Sequence, residues 1–309
     1  MCFTSNFWSL TIDGLNNGFL YALIALGYTL VYGVLQLINF AHSEVFMSGG
    51  FAGLFLTQWW LGANGSAHGA ESVFVVVAGV IIGGLAGGSV AFLLERVAYR
   101  PLRRRNAPRL AFLITAIGAS YFLFSLAGHL FGRDSQSVPQ LYDNKQVFTV
   151  FGAGVHVYDL VVAVSAILMM LLLDRVVAHS RLGQGIRAVA QDAETASLLG
   201  VNIDRVISQT FIIGGLLGGA AGFLFGIGNS VSYTMGFVPG LKAFTAAVLG
   251  GIGNIRGAML GGIVLGLVEN WGVTCVRNSW RDVIAFGILV LILMFRPTGL
   301  LGERLGRSA

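Results

Sequence analysis

The sequence predicts an all-α integral membrane protein, a polytopic bundle of about 8–9 transmembrane helices with interrupted segments and one polar helix lying on a membrane face. Three observations predict it. Of 309 residues, 55% are hydrophobic and only 11% charged, and the mean hydropathy is +0.78, which leaves too little polar surface to cover a water-soluble globule. Apolar windows of roughly 20 residues, the length that crosses a bilayer, recur along the whole chain. Between two of them, residues 181–205 break the pattern with an alanine-rich polar stretch.

The windows lie near 14–35, 40–61, 72–93, 110–131, 155–173, 206–229, 238–253, 257–275 and 282–296. No stretch is left over for a soluble domain, so residues 1–309 read as a single transmembrane domain. The first window has no basic n-region and no clear small-residue cleavage site, and Asn16 and Asn17 sit inside its start; a cleaved signal peptide is not expected. The second opens on Asn39-Phe40-Ala41-His42-Ser43-Glu44, and the third runs into an arginine-rich loop. Between the fourth and fifth, residues 132–154 form the longest connection, in which Val147-Phe148-Thr149-Val150 suits a small hairpin. It reads either as a contact for a substrate-delivery protein or as a plain connector. Pro239-Gly240 shortens or interrupts the seventh window, and Glu269 lies well inside the eighth.

Orientation follows from the Arg and Lys residues, because short basic loops stay cytoplasmic. One side collects 14 of the 19: Arg96, Arg100, Arg103, Arg104, Arg105 and Arg109 after the third window, Arg175, Arg181, Arg187 and Arg205 around the polar stretch, then Arg256, Arg296, Arg304 and Arg307. Nine spans with the N-terminus outside and the C-terminus cytoplasmic satisfy this count. The net charge of +5 therefore reflects topology. No basic stripe suits nucleic acid, whereas the arginine-rich loop suits anionic membrane lipid. Cys2 and Cys275 both fall on the outer side, as two unrelated thiols or as a pair.

Glycine, at 44 residues, is the second pattern. Gly214, Gly218, Gly222 and Gly226 repeat every fourth residue, as do Gly79, Gly83 and Gly87, then Gly253, Gly257 and Gly261. Such faces let helix backbones approach closely in lipid. Packing inside one bundle and a subunit contact are both open readings.

The polar stretch favours helix from Gly185 to Leu199, with Gly200 as its stop. An amphipathic helix on a membrane face marks where this chain meets another protein. Inside the windows, ionisable groups are costly and so are candidates for function. On a helix Asn39, His42 and Ser43 share one side, with Glu44 turned away; the segment reads as pore-lining or as an interfacial turn. Lys242, with Thr245 beyond the Pro239-Gly240 break, reads as an attractor for a carboxylate or as a side chain snorkelling to headgroups. Glu269 must be protonated, paired or facing water. There is no Gly-x-Ser-x-Gly, His-Glu-x-x-His, Cys-x-x-Cys or phosphate-cradling loop, so neither an enzyme nor a metal site is expected, and any ATP is bound by another chain.

Five ordered stretches carry a resemblance: Gly14-Leu15-Asn16-Asn17-Gly18 with Tyr21-Ala22-Leu23; Ile38-Asn39-Phe40-Ala41-His42; Glu95-Arg96-Val97-Ala98-Tyr99-Arg100-Pro101; Ser197-Leu198-Leu199-Gly200-Val201-Asn202 with Asp204-Arg205-Val206-Ile207; and Lys242 through Gly253. Over nearly its whole length the chain resembles LivH-type permeases of bacterial branched-chain amino-acid ABC importers. The resemblance implies a second, LivM-like permease, two ATP-binding subunits of the LivG/LivF kind, an extracytoplasmic binding protein, and residence in the bacterial inner membrane. It makes 181–205 a cytoplasmic coupling helix, with Arg181, Gly185, Arg187, Ala188, Ala190, Glu194, Leu199 and Gly200 at the ATPase, while Asn39, His42, Glu44, Lys242 and Thr245 border the translocation path. Ser43 stands where many relatives carry glycine. Related permeases also serve urea, short amides and other amino acids, and a stand-alone channel or carrier is the remaining alternative.

Overall fold

The computed structural model describes residues 7–63, 65–143, 145–273, 280–296 and 298–302. Cys2, Cys275, Arg277, Arg304 and Arg307 lie outside them. The helices are α1 (Phe7–Leu35), α2 (His42–Leu61), α3 (Ala70–Leu94), which continues through a π-helical turn (Glu95–Tyr99) into α4 (Arg100–Arg104), α5 (Arg109–Leu130), α6 (Val157–His179), α7 (Arg181–Gln191), α8 (Ala193–Leu198), α9 (Ile203–Gly228), α10 (Phe237–Gly250), α11 (Ile255–Val273) and α12 (Arg281–Phe295). Each apolar window contains one of them. Among the described residues five segments are long and apolar enough to cross a membrane: α1, α3 with α4, α5, α6 and α9. α10 has 14 residues, which at 1.5 Å per residue is about 21 Å, shorter than the ~30 Å hydrocarbon core.

α1 and α9 form the centre. In α1 78% of the apolar window is buried, against 17% in α5. The glycine faces account for the close packing. Gly215 and Gly219 of α9 meet Gly83 and Gly87 of α3, Gly222 meets the Phe46 carbonyl of α2, Gly262 and Gly266 of α11 meet Ala22, Gly14 and Gly18 of α1, and Gly257 and Gly261 meet Gly250 and Ala246 of α10. An added Cβ at Gly219 or Gly262 would run into backbone. These faces are therefore spent inside the chain. Gly253 is the exception: it has φ +96° and nothing near it, and it serves the turn between α10 and α11.

Among the described residues four short strands lie in two pairs at the end of the bundle opposite the arginine-rich loop: β1 (Gln136–Ser137) with β4 (Ser230–Val231), and β2 (Gln146–Val150) with β3 (Ala153–His156), both antiparallel. The expected hairpin is thus present. Phe151 and Gly152, both at positive φ, make the primed type of turn that matches strand twist.

Candidate functional site

α1 ends at Gln36, a left-handed residue at φ 54°, and the chain turns back without helix until His42. Asn39 therefore lies outside the helix that its spacing suggested. Its side chain instead braces the turn before α2: Oδ1 accepts the Ala41 N–H at 3.1 Å and the Tyr99 hydroxyl at 2.7 Å. His42 is buried between α1 and α9. A Cβ on Gly218 would sit 3.1 Å from His42 Nε2, and one on Gly27 would overlap the ring. Gly218 is about 22 Å from the start of α9 and about 15 Å from its end, taking roughly 1.5 Å per residue. α2 thus begins well inside the bundle.

Glu44 accepts hydrogen bonds from Ser43 at 3.3 Å and from Ser120 of α5 at 3.1 Å. Gly240 of α10 approaches Ser43 and Tyr28, and Gly236 abuts the Ser43 backbone; Phe244 closes the same side against Tyr28 and Phe40, with ring centroids 6.1 Å apart in both pairs. The starts of α2 and α10 therefore touch one another. Pro239 falls in the first turn of α10, where its missing N–H is tolerated, so the helix is short and uninterrupted.

Lys242 points the other way, toward α11 and α12. Its Nζ lies 2.7 Å from Glu269 Oε1 and 2.7 Å from Asp282 Oδ1. Arg281 Nε is 3.3 Å from the same Glu269 oxygen, its guanidinium donates to Asn270 at 2.9 Å, and Tyr21 donates to Glu269 at 3.5 Å. Lys242 is buried and paired, so it does not snorkel. Thr245 donates to the Leu241 carbonyl of its own helix at 3.0 Å.

The polar stretch folds as two helices, α7 and α8, where one was expected. Asp192 divides them: its carboxylate accepts the N–H groups of Glu194 and Thr195 and the Thr195 hydroxyl, capping α8 instead of continuing α7. The Thr195 hydroxyl and these N–H groups hold the carboxyl below its ordinary value. Ser180 and Asn202 cap α7 and α9 in the same way. Gly200, at φ +87°, ends α8 as anticipated. Gly185 packs on Val206, Ala188 is partly buried, and Arg187 donates to the Val177 carbonyl. Arg181, Ala190 and Glu194 are exposed. Leu198 and Leu199 are 84% and 80% exposed, two apolar side chains projecting from a polar surface.

Beside α7 opens a cavity of about 1200 Å³, whose lining includes Tyr32, Asp174, Arg187, Ala190, Asn254 and Arg256. It runs between α1, α6, α7 and the α10–α11 turn.

Several members of these clusters escape the sequence patterns. Tyr21, Arg281 and Asp282 have no one-dimensional link to Lys242, and Ser120 is an ordinary hydroxyl in an apolar run. Tyr99 and Glu95 had a signal, being polar residues four apart at the end of an apolar window.

Residues 10–293 match the family described as branched-chain amino acid transport system / permease component. The chain is 40% identical over 296 residues to the high-affinity branched-chain amino acid transport system permease protein LivH of Escherichia coli K12, with 94% of each chain covered. To BraD of Pseudomonas aeruginosa, described in the same terms, it is 42% identical over 299 residues, again with 94% of each covered. The fructose import permease protein FrcC of Rhizobium meliloti is 27% identical over 242 residues, covering 73% of this chain and 62% of that one. No solved structure matches.

Proposed function

Because the chain belongs to the branched-chain amino acid transport permease family, we propose that it is one of two permease subunits of an ABC importer for leucine, isoleucine and valine. The observation that carries this reading is similarity at 40% identity across 94% of a branched-chain amino acid permease. The protein is a membrane permease and not an enzyme. ATP is bound and hydrolysed by two partner subunits, a LivM-like permease completes the pathway, and an extracytoplasmic binding protein delivers the cargo.

In this reading the arginine-rich end, α7, α8 and the C-terminus face the cytoplasm. The exposed pair Leu198 and Leu199 fills an apolar groove on an ATPase subunit, with Arg181, Arg187, Ala188, Ala190 and Glu194 orienting the α7 and α8 surface, Gly185 seating it on α9 and Gly200 ending it. A stand-alone channel or carrier has no use for such a surface. Asn39, His42 and Glu44, at the start of α2, border the translocation path where α10 meets them. Lys242 holds α10 in place from its other side, while Thr245 satisfies its hydroxyl within α10. The cavity beside α7 is the exit toward the cytoplasm.

Co-purification followed by reconstitution tests this. The chain should bring down an ATP-binding subunit and a second permease, and the assembled complex, given its binding protein and ATP, should accumulate leucine and valine in preference to urea or a neutral amide. Uptake without ATP would overturn the reading, and preferred uptake of urea or the amide would reassign the cargo.

A further inference from the structure

The apolar run of α3 ends at a wide turn. Between Glu95 and Tyr99 the helix opens into π geometry, which adds a residue to one turn. Glu95 and Tyr99, four residues apart across this turn, both face the interior, 0% and 1% exposed. Glu95 reaches toward α9, accepting a hydrogen bond from Ser208 at 2.7 Å and an ion pair from Arg103 at 3.0 Å. Arg103 also holds Asp204, in the first turn of α9, and Arg100 and Arg104 reach the same carboxylate at 3.4 and 3.2 Å. Tyr99 reaches the other way, donating to Asn39 Oδ1 at 2.7 Å.

That oxygen also accepts the Ala41 N–H, and the Asn39 carbonyl accepts the His42 N–H at 3.1 Å. One turn of α3 is therefore tied to the base of α9 on one side and to the start of α2 on the other. The base of α9 is continuous with the polar surface: Ile186 and Val189 of α7, Ala196 of α8, Val206 and Phe211 of α9, Tyr99 and Ala41 all belong to one apolar cluster.

We propose that the π turn links the α7–α8 docking surface to the start of α2, with Tyr99 as the positioning residue. A displacement of α8 by a docked partner moves Asp204, which carries Arg103 and the π turn with it. The Tyr99 hydroxyl then repositions Asn39 and, through it, His42. The chain of contacts is short: α8 joins it through the apolar cluster, and from Asp204 to Asn39 the contacts between side chains are ion pairs and hydrogen bonds. The role assigned to ATP in this link rests on the function proposed above; the mechanical link does not.

Two measurements test it. In the isolated permease, Asp204→Asn touches neither Asn39 nor Tyr99, yet it should speed amide hydrogen exchange at Ala41 and His42 by about fivefold, the effect of losing roughly one net hydrogen bond, and Tyr99→Phe should do the same. Unchanged exchange at these amides in the Asp204 variant overturns the link, whether or not an ATPase is involved. In the complete importer, Tyr99→Phe should leave ATP hydrolysis within about twofold while lowering leucine uptake per ATP about fivefold. Arg103→Lys, which keeps the charge and loses the fork, should act in the same direction, and combining Tyr99→Phe with Asp204→Asn should cost no more than the worse single change. An unchanged ratio in Tyr99→Phe, or strictly additive losses, overturns the transmission role. A parent complex in which hydrolysis and uptake are not coupled at all overturns the proposed function, while the exchange result still decides the link.

Discussion

Lys242 and Glu269 form an ion pair 2.7 Å long with side chains only 5% and 0% exposed. Burying either charge alone is costly, and the attraction between them offsets the loss of water only because the geometry is close and further partners complete the shell. Asp282 and Arg281 supply that shell and extend it to the rim, where their side chains are half-exposed or nearly so. The cluster binds α10, α11 and α12 to one another.

Removing one member should therefore unbalance the rest. Lys242→Met leaves Glu269 with Arg281 and the Tyr21 hydroxyl and should cost about 3 kcal/mol, the low end for breaking a buried pair. Adding Glu269→Gln should recover most of it. Thermal unfolding of the purified protein in detergent measures both, and a double variant no more stable than the single would argue against the pairing.

The His42 ring occupies the space in front of Gly27. Gly27→Ala should destabilise the fold by about 1–3 kcal/mol, as for an overpacked core, and His42→Ala in the same chain should relieve it. Expression level and melting temperature read the pair. If Gly27→Ala is as stable as the parent, the ring does not sit where it is described.

Orientation is testable by labelling, in a chain whose Cys2 and Cys275 are replaced by Ser. Cysteines at Arg105 and Gln184 should be protected from an impermeant thiol reagent in intact cells with a permeable outer barrier, and one at Thr149 in the β2–β3 hairpin should react. Reversal of all three would invert the topology.

Leu198→Ser together with Leu199→Ser should leave membrane insertion unchanged and reduce uptake by tenfold or more, the effect of losing roughly 1.4 kcal/mol or more at an apolar anchor. Undiminished uptake would show that α8 is only a solvated surface. Ala188→Trp probes the neighbouring α7 face and should have a second effect on folding, since Ala188 packs against the apolar cluster.

The α8 cap has a pH dependence of definite sign. The Asp192 carboxyl titrates below its ordinary value of 3.8 because Thr195 and two backbone N–H groups favour the charged form. Its contribution is therefore fully present above that ordinary value and is lost as the pH falls through the lower folded-state value. Amide exchange at Glu194 and Thr195 should rise only in that acid range, and should be fast at every pH in Asp192→Ala.

A helix in each apolar window was legible in the sequence, because burial in lipid and in protein both demand long apolar runs, and those runs are local. The caps were legible too: Ser180, Asp192 and Asn202 each stand where a helix starts, and reading Asp192 as a cap would have split 185–199 correctly. What could not be read is what tertiary contact decides. Asn39 fits a helix by spacing, yet it lies in the turn after left-handed Gln36 and bonds to Tyr99, sixty residues away. Lys242 looked like a free cation because its partners lie on two other helices. Glycine spacing announced close approach without naming the neighbour, and only packing shows that α9 spends its glycines on α1, α2 and α3.

The buried start of α2 sets an order of events during biogenesis. When the ribosome has delivered Asn39 through Glu44, only their local partners exist: Tyr99 and Ser120 emerge later, and the α9 glycine that flanks His42 later still. Until then this polar segment has no stable place at membrane depth. The contacts around the start of α2 are therefore complete only once α9 has been synthesised, since Gly218 flanks the His42 ring.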